Sequence, residues 1–393
     1  MVSSRLFCAL ITGLLGTAVL LGGCAESDPA AQRETEAGAK ADTIPSGPVF
    51  DIRSVTVDAR HRPEPALLPR LQALGVTHVT LVSFGWQRAA DDPRVRIDTS
   101  DGWYSESHRG IRTLARQADS LGMGVILKPH IWIGGYDEAQ DRSEIGFETE
   151  AAWNRWEASY RRFLMVYARL AAEVDADALV LGTELSSVAK TRPQFFRALA
   201  DTVRTVYDGK LTYAANWHDE YRKIEFWDAL DYVGVQAYFP ISDGPNPSLD
   251  TLRSHWRRHR RALAQVHRRT DRPVLLTEIG YRSARTTAEA PWRWPERESE
   301  SVPADSVLQA QCYRAFFSTM DRAPWFAGAI IWKWHPRTSR QRPTDFTPQG
   351  KPAERVLYRW FTGTPPAVPA RSPESGPATP TGPSAEERAS SSR

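Results

Sequence analysis

Apolar residues along this chain follow two alternating spacings. Short unbroken runs rich in Val, Ile and Leu are separated by longer stretches where apolar residues recur every third or fourth position. An unbroken run reads as a strand buried on both faces, and the wider spacing reads as an amphipathic helix. On this basis the chain predicts strands at Ser54–Asp58, Val76–Phe84, Gly124–Ile131 and Ala178–Glu184. Four more follow at Leu211–Asn216, Tyr232–Phe239, Pro273–Glu278 and Phe326–Trp332. Between them, Leu67, Leu68, Leu71 and Leu74 stop at Gly75, and Ile111, Leu114, Ala115, Ala118 and Leu121 stop at Gly122, each a helix with a glycine end signal. Trp153 to Leu170, Phe195 to Val206, Leu252 to Val266 and Val307 to Met320 carry further helical stripes, and Leu357, Trp360 and Phe361 a last one. The segment Ile224–Leu230 is short.

Strands alternating with helices imply a parallel sheet. Eight such units over about 320 residues fit a single (β/α)8 TIM barrel. The competing α/β architecture, an open doubly wound sheet, usually carries a glycine-rich phosphate turn after its first strand, and Ala59-Arg-His-Arg-Pro63 is not one. The barrel is expected to span residues 47–363.

Both ends fall outside this pattern. Arg5 followed by the apolar stretch Leu6–Leu21 has signal-peptide length, and Leu21-Gly-Gly-Cys24 resembles the bacterial lipobox. Residues 1–23 therefore read as a lipoprotein signal peptide, with Cys24 as the lipidated residue. The expected location is the cell envelope, anchored in the outer membrane because Ala25 follows the cysteine. Residues 24–46, small and polar, read as a flexible tether, and the Pro/Ser/Thr-rich stretch 364–393 as a disordered tail. The 3 cysteines divide between leader, anchor and Cys312, a lone core position, so no internal disulfide is expected. A net charge of +3 over 393 residues implies no nucleic-acid partner. The basic run Arg257–Arg261 shares its helix with Leu252, Trp256 and Leu263 and reads as a solvated face.

A barrel gathers its chemistry at the C-terminal strand ends. Here those ends carry Phe84-Gly-Trp86, Lys128-Pro-His130-Ile-Trp132, Asn216-Trp217-His218, Gln236-Ala-Tyr238-Phe239 and Trp332-Lys-Trp334-His335. Several of the 14 tryptophans lie there or in the following loops, among them Trp103, Trp292 and Trp294. Indole faces stack on the C–H faces of pyranose rings while Lys, His and Asn bond the hydroxyls, so the mixture suits a sugar. Alternation along a strand groups Glu278 with Leu276 and Val274, Lys128 with His130, Gln236 with Tyr238, and Trp332 with Trp334. His130, His218 and His335 lack metal-ligand spacing, and no Gly-x-Ser-x-Gly elbow occurs; neither a metal nor a cofactor is expected.

Two runs end alike, Ala178–Glu184 and Pro273–Glu278, each stopping at Thr-Glu on the fourth and seventh strand. Paired carboxylates so placed suit a retaining glycosidase: Glu184 as acid/base and Glu278 as nucleophile, with carboxyl groups about 5–5.5 Å apart.

These residues resemble glycoside hydrolase clan A, whose barrels carry the acid/base on strand four and the nucleophile on strand seven. Gly182-Thr-Glu184 is similar to the acid/base motif and Leu276-Thr-Glu-Ile-Gly280 to the nucleophile motif. Phe84-Gly-Trp86, Leu127-Lys-Pro-His130 and Ile331-Trp-Lys-Trp334 most resemble family 113, whose characterised members are β-1,4-mannanases. The resemblance implies that Tyr238 bonds the nucleophile and that Trp332 underlies the sugar at the cleavage point. With the mouth residues read above, Trp86, Lys128, His130, Asn216 and Trp217 complete the expected binding set. Most of the clan has Asn before the acid/base, reading the sugar 2-hydroxyl; here Thr183 stands there, so the contact is expected to be shorter, water-mediated, or made by Asn216 or His130. The implied substrate is β-mannan or glucomannan, with glucanase, xylanase and galactanase activities, or a non-catalytic glycan-binding surface protein, as alternatives.

Overall fold

The computed structural model describes residues 50–58, 61–97, 104, 107–134, 141–293, 302–337 and 342–364. Residues 1–49 and 365–393, where the leader, tether and nearly all of the tail are expected, together with Trp103 and Trp294, lie outside the described residues. Within them the chain forms one (β/α)8 barrel, with the strands close to where hydrophobic continuity places them.

The elements in chain order are β1 (Ile52–Val57), α1 (Leu67–Ala73), β2 (His78–Gln87), β3 (Arg96–Ile97), α2 (His108–Asp119), β4 (Gly124–Ile133), α3 (Glu150–Glu173), β5 (Ala178–Thr183), α4 (Ser186–Thr191) and α5 (Pro193–Arg204). They continue with β6 (Lys210–Asn216), α6 (Glu220–Lys223), β7 (Val233–Gln236), α7 (Leu249–Thr270), β8 (Val274–Ile279), α8 (Ser306–Met320), β9 (Phe326–Trp334) and α9 (Pro352–Thr362). Every strand but β3 belongs to the barrel, paired in parallel in the order β1-β9-β8-β7-β6-β5-β4-β2, and β1 closes it against β2. The short β3 lies antiparallel on the outer end of β2, pairing Gly85 with Ile97.

Two apolar cores follow from the alternation of side chains. Ile52, Ile126, Ala178, Val180, Ala214, Leu275 and Ile330 fill the barrel interior. The opposite faces, with Val55, Val79, Leu179 and Leu211 among them, pack against the helices in one large cluster. Trp156, Tyr160 and Phe163 are the buried stripe of α3, whose start is capped by the Thr149 hydroxyl accepting from Ala152 N at 3.3 Å. Cys312 is fully buried in α8, and burial pushes its thiol well above the ordinary range. In α7 the arginines at 257, 258 and 261 are exposed, as a solvated face requires. His259 departs from it: the ring stacks on Phe239 at 4.3 Å, and its Nε2 meets the Pro240 carbonyl at 2.9 Å. Gly75 ends the first helical turn with φ +85°, and a Cβ there would meet Phe361 Cβ at 2.9 Å, so both conformation and space demand glycine.

Three local readings are corrected. Strict alternation does not hold in β8: Leu275, not Leu276, joins the interior, and Leu276 packs outward. The cause is a register shift, since Val235 pairs with Leu276 but Gln236 pairs with Glu278, skipping Thr277. Trp334 likewise parts from Trp332, lying buried in the outer core, because β9 shifts against β1 between Val55↔Ile331 and Val57↔Trp334. Finally, β7 is only 4 residues long. After Gln236 the chain folds back, with Tyr238 N donating to the Gln236 carbonyl at 3.1 Å, so Tyr238 and Phe239 lie beyond the strand.

Candidate active site

The skipped register in β8 brings Glu278 to the interior beside residues of β4 and β7. Lys128 on β4 is fully buried, and each of its three N–H bonds has an acceptor: Glu278 Oε1 at 2.5 Å, Gln236 Oε1 at 2.8 Å and the Thr277 carbonyl at 2.9 Å. That arrangement satisfies an ammonium and would leave an amine short of a donor. Burial pulls Lys128 down from the usual lysine range, and the Glu278 charge opposes this; with three acceptors in place we assign the charged form. On the other carboxylate oxygen, the Tyr238 phenol donates to Oε2 at 2.6 Å. Burial alone would raise the Glu278 carboxyl, but the Lys128 charge and the donors from Lys128 and Tyr238 outweigh it, so the net direction is down. Burial and the neighbouring Glu278 charge push the Tyr238 phenol well up, keeping it a donor.

Glu184 directly follows β5 and adopts a left-handed backbone with φ +54°. For a residue with a side chain this conformation costs about 1–3 kcal/mol and persists only where neighbours enforce it. They do so here: Glu184 N donates to the Ala214 carbonyl at 2.9 Å, and Leu185 N donates to the Tyr213 hydroxyl at 2.8 Å, with the Leu185 side chain fully buried. The same phenol donates at 2.7 Å to Glu220, a buried carboxylate that also accepts from Ser186 Oγ and Asn216 N. Burial pushes the Glu220 carboxyl up, its three donors oppose this, and the Glu184 charge adds to the rise. Glu220 thus ties together the loops after β5 and β6 and fixes the backbone that presents Glu184.

The Glu184 carboxylate accepts from Arg142 Nη2 at 2.7 Å. The two glutamates share one electrostatic environment, because the Glu184 charge acts on Lys128 and Tyr238, the groups that hold Glu278. His130 is buried with its Nε2 unbonded among the described residues. Burial, reinforced by the Lys128 and Arg142 charges, pushes its imidazole well below the ordinary value, so it is neutral. Thr183 Oγ1 is likewise buried with no protein partner among the described residues.

Aromatic residues form two groups at the C-terminal strand ends and the loops beyond. Trp86 and Trp132 lie 6.1 Å apart and tilted, next to Phe84, which meets the His130 ring edge-on at 5.6 Å. In the second group Trp217 stacks on Trp292 at 4.9 Å with 27° between planes. Trp292 is 40% exposed, whereas nearly all other large apolar side chains among the described residues are covered. Trp332 is half-buried, with the Lys333 ammonium 5.4 Å from its ring centre, and the peptide bond joining the two is cis. Lys333 in turn pairs with Asp58 at 2.6 Å, and His335 with Asp345 at 2.8 Å.

Of the residues singled out by sequence, Lys128, Tyr238 and Glu278 thus converge on one contact cluster. Asn216 is less free than expected, since its Oδ1 accepts from His218 N at 3.0 Å in a local turn. The three mouth histidines have separate surroundings, and no group of His, Cys, Asp or Glu among the described residues could hold a metal ion. Arg142 and Glu220 escaped the sequence reading. Gln236 lies at the mouth, where the strand-end reading expects it, but nothing marks Arg142 among the 50 Lys and Arg residues.

The model of Glycoside Hydrolase Family 113 matches residues 61–351. The GH113 β-mannanase AaManA from Alicyclobacillus acidocaldarius, solved in complex with ManMIm, is similar over 79% of this chain and 97% of its own, at 26% identity and a TM-score of 0.67. A second GH113 β-1,4-mannanase, solved as a complex, matches with 23% identity and a TM-score of 0.67 over 79% of this chain and 99% of its own. The endo-1,4-β-D-mannanase from Thermotoga petrophila RKU-1 shares the fold at 11% identity and a TM-score of 0.50, over 79% and 99% of the two chains. No curated protein sequence matches the chain.

Proposed function

The chain belongs to glycoside hydrolase family 113, and on that premise we propose that it hydrolyses β-1,4-mannan or glucomannan with retention of anomeric configuration. The observation that carries the mechanism is the pairing of Glu278 with Lys128 and Tyr238 beside a second carboxylate, Glu184. A carboxylate held ionised by a buried ammonium and a phenol is equipped to attack an anomeric carbon. Glu184 protonates the departing glycosidic oxygen as the C–O bond breaks and the Glu278 ester forms. It then takes a proton from water, whose oxygen attacks the anomeric carbon and releases Glu278. Two inversions give net retention. The mechanism requires the carboxyl groups to stand about 5–5.5 Å apart.

The choice of mannan rests on the family and on AaManA being a β-mannanase. Trp332 would underlie the sugar at the cleavage point, with Trp86 on one flank and Trp217 with Trp292 on the other. His130 Nε2 and Thr183 Oγ1, both buried without protein partners among the described residues, would bond sugar hydroxyls there, where clan A generally uses Asn. Asn216 would contribute its amide. We further propose that Cys24 carries a lipid anchoring the protein to the cell envelope; Cys24→Ser would then move the protein from the membrane fraction to the soluble one.

The test is hydrolysis of mannan, glucomannan, cellulose, xylan and galactan by the wild type and by Glu278→Ala, with the anomer of the first product read by NMR. Manno-oligosaccharides released as the β-anomer by the wild type alone are expected. An α-anomer formed first would overturn retention, and release by Glu278→Ala at the wild-type rate would overturn the nucleophile. Activity confined to another polysaccharide would replace mannan as the substrate.

A further inference from the structure

We propose that Arg142 is the positioning residue of the acid/base carboxylate, acting chiefly in the half-reaction where Glu184 must be ionised. This rests on the roles proposed above for Glu184 and Glu278.

The contact is direct: Arg142 Nη2 donates to Glu184 Oε2 at 2.7 Å, with both side chains largely covered at 23% and 17% exposure. Arg142 is not a loose surface arginine. It opens the short turn Arg142–Glu144, which Asp141 caps by accepting from Ser143 N at 2.9 Å, and the next residue, Ile145, is fully buried. Other charges confirm the setting. Burial pulls the guanidinium down, but Glu184, Glu278 and Asp141 more than offset it, and the net direction is up. Lys128 is already committed to Glu278, so Arg142 is the cation that serves Glu184.

A retaining cycle asks opposite things of one carboxyl group. It must carry a proton while the leaving group departs and must be ionised while water attacks the ester. A guanidinium keeps its charge at any working pH and donates only. At 2.7 Å from Oε2 it makes its full charge-assisted hydrogen bond with the ionised carboxylate. It also fixes which oxygen reacts: Oε2 is held by Arg142, whereas Oε1 has no protein partner among the described residues and is the oxygen that exchanges its proton with leaving group and water. Arg142 thus keeps Glu184 oriented and ready as a base between turnovers.

The experiment uses dinitrophenyl β-mannobioside, whose leaving group needs no proton, so that hydrolysis of the glycosyl-enzyme limits kcat. Arg142→Met is expected to lower kcat by about ten- to hundredfold, a part of the 10²–10⁴ that general acid–base catalysis supplies as a whole, with kcat/KM little changed. Azide, a nucleophile that needs no base, should restore turnover and give β-mannobiosyl azide. Arg142→Lys, which keeps the charge but loses the planar fork, should fall between wild type and Arg142→Met. In Glu184→Ala the further loss of Arg142 should cost almost nothing, because one acts through the other. Equal losses in kcat and kcat/KM, unrelieved by azide, would show a merely structural residue and overturn the proposal. So would full additivity with Glu184→Ala, or an unchanged kcat. If azide rescues Glu184→Ala but not Arg142→Met, only the role of Arg142 falls; if it rescues neither, the acid/base assignment falls with it.

Discussion

Replacing Tyr238 by Phe tests how the site keeps its nucleophile ionised. The substitution removes one oxygen, the donor 2.6 Å from Glu278 Oε2, and little else. The ring keeps its place, since its edge contact with Phe346, centroids 6.2 Å apart, needs no hydroxyl. A hydrogen bond to a charged group contributes ~1.5–3 kcal/mol, which corresponds to about one to two pKa units. The sign follows from which form the phenol bonds. It donates to the carboxylate, so it helps hold Glu278 below the usual carboxyl value, and its loss lets the carboxyl rise. Because Glu278 must be ionised to attack, the acidic limb of kcat/KM should move to higher pH by about one to two units. Lys128 remains in place, so activity near the optimum should persist at a reduced level. The assay is kcat/KM on manno-oligosaccharide across the pH range, wild type beside variant. An acidic limb that stays put, or moves to lower pH, would refute the claim that Tyr238 stabilises the charged nucleophile.

Two more outcomes follow from the same geometry. Lys128→Met leaves Glu278 buried without its cation, a loss of about 3–5 kcal/mol for broken buried pairs, nearer the lower figure because the burial cost of the ammonium also disappears. In the wild type Glu278 is depressed, so its stabilisation is present above the unfolded carboxyl value of about 4.3 and fades as pH falls through the folded one. Without Lys128 the carboxyl takes up a proton in acid, so urea unfolding at pH 5 and pH 8 should show the larger deficit at pH 8; equal deficits would sink this account. Trp292→Ala removes the exposed half of the stacked indole pair. It should lower kcat/KM on polymeric mannan about tenfold, some 1.4 kcal/mol, and cost clearly less on a short aryl glycoside. Equal losses on both would show that the pair does not extend the binding groove.

The barrel was legible because buried parallel strands and amphipathic helices write their periods into the chain, and both glutamates stand where a strand's apolar run stops. Finer placement was not legible, and the reason differs by residue. Alternation is a rule of two, so one skipped register in β8 exchanges Leu275 for Leu276 in the interior without altering composition. That same skip is what sets Glu278 beside both Lys128 and Tyr238. At Glu184 the determinant is a left-handed backbone enforced by Ala214, Tyr213 and Leu185, partners separated from it in sequence by up to thirty positions. Both catalytic candidates therefore sit where regular strand geometry breaks down. A barrel built of perfect strands would send its side chains alternately to core and helix layer; both glutamates are placed by departures from that pattern. The exceptions are invisible to periodicity because they depend on neighbouring strands, and Arg142, delivered by a loop turn from outside the strand pattern altogether, is the extreme case.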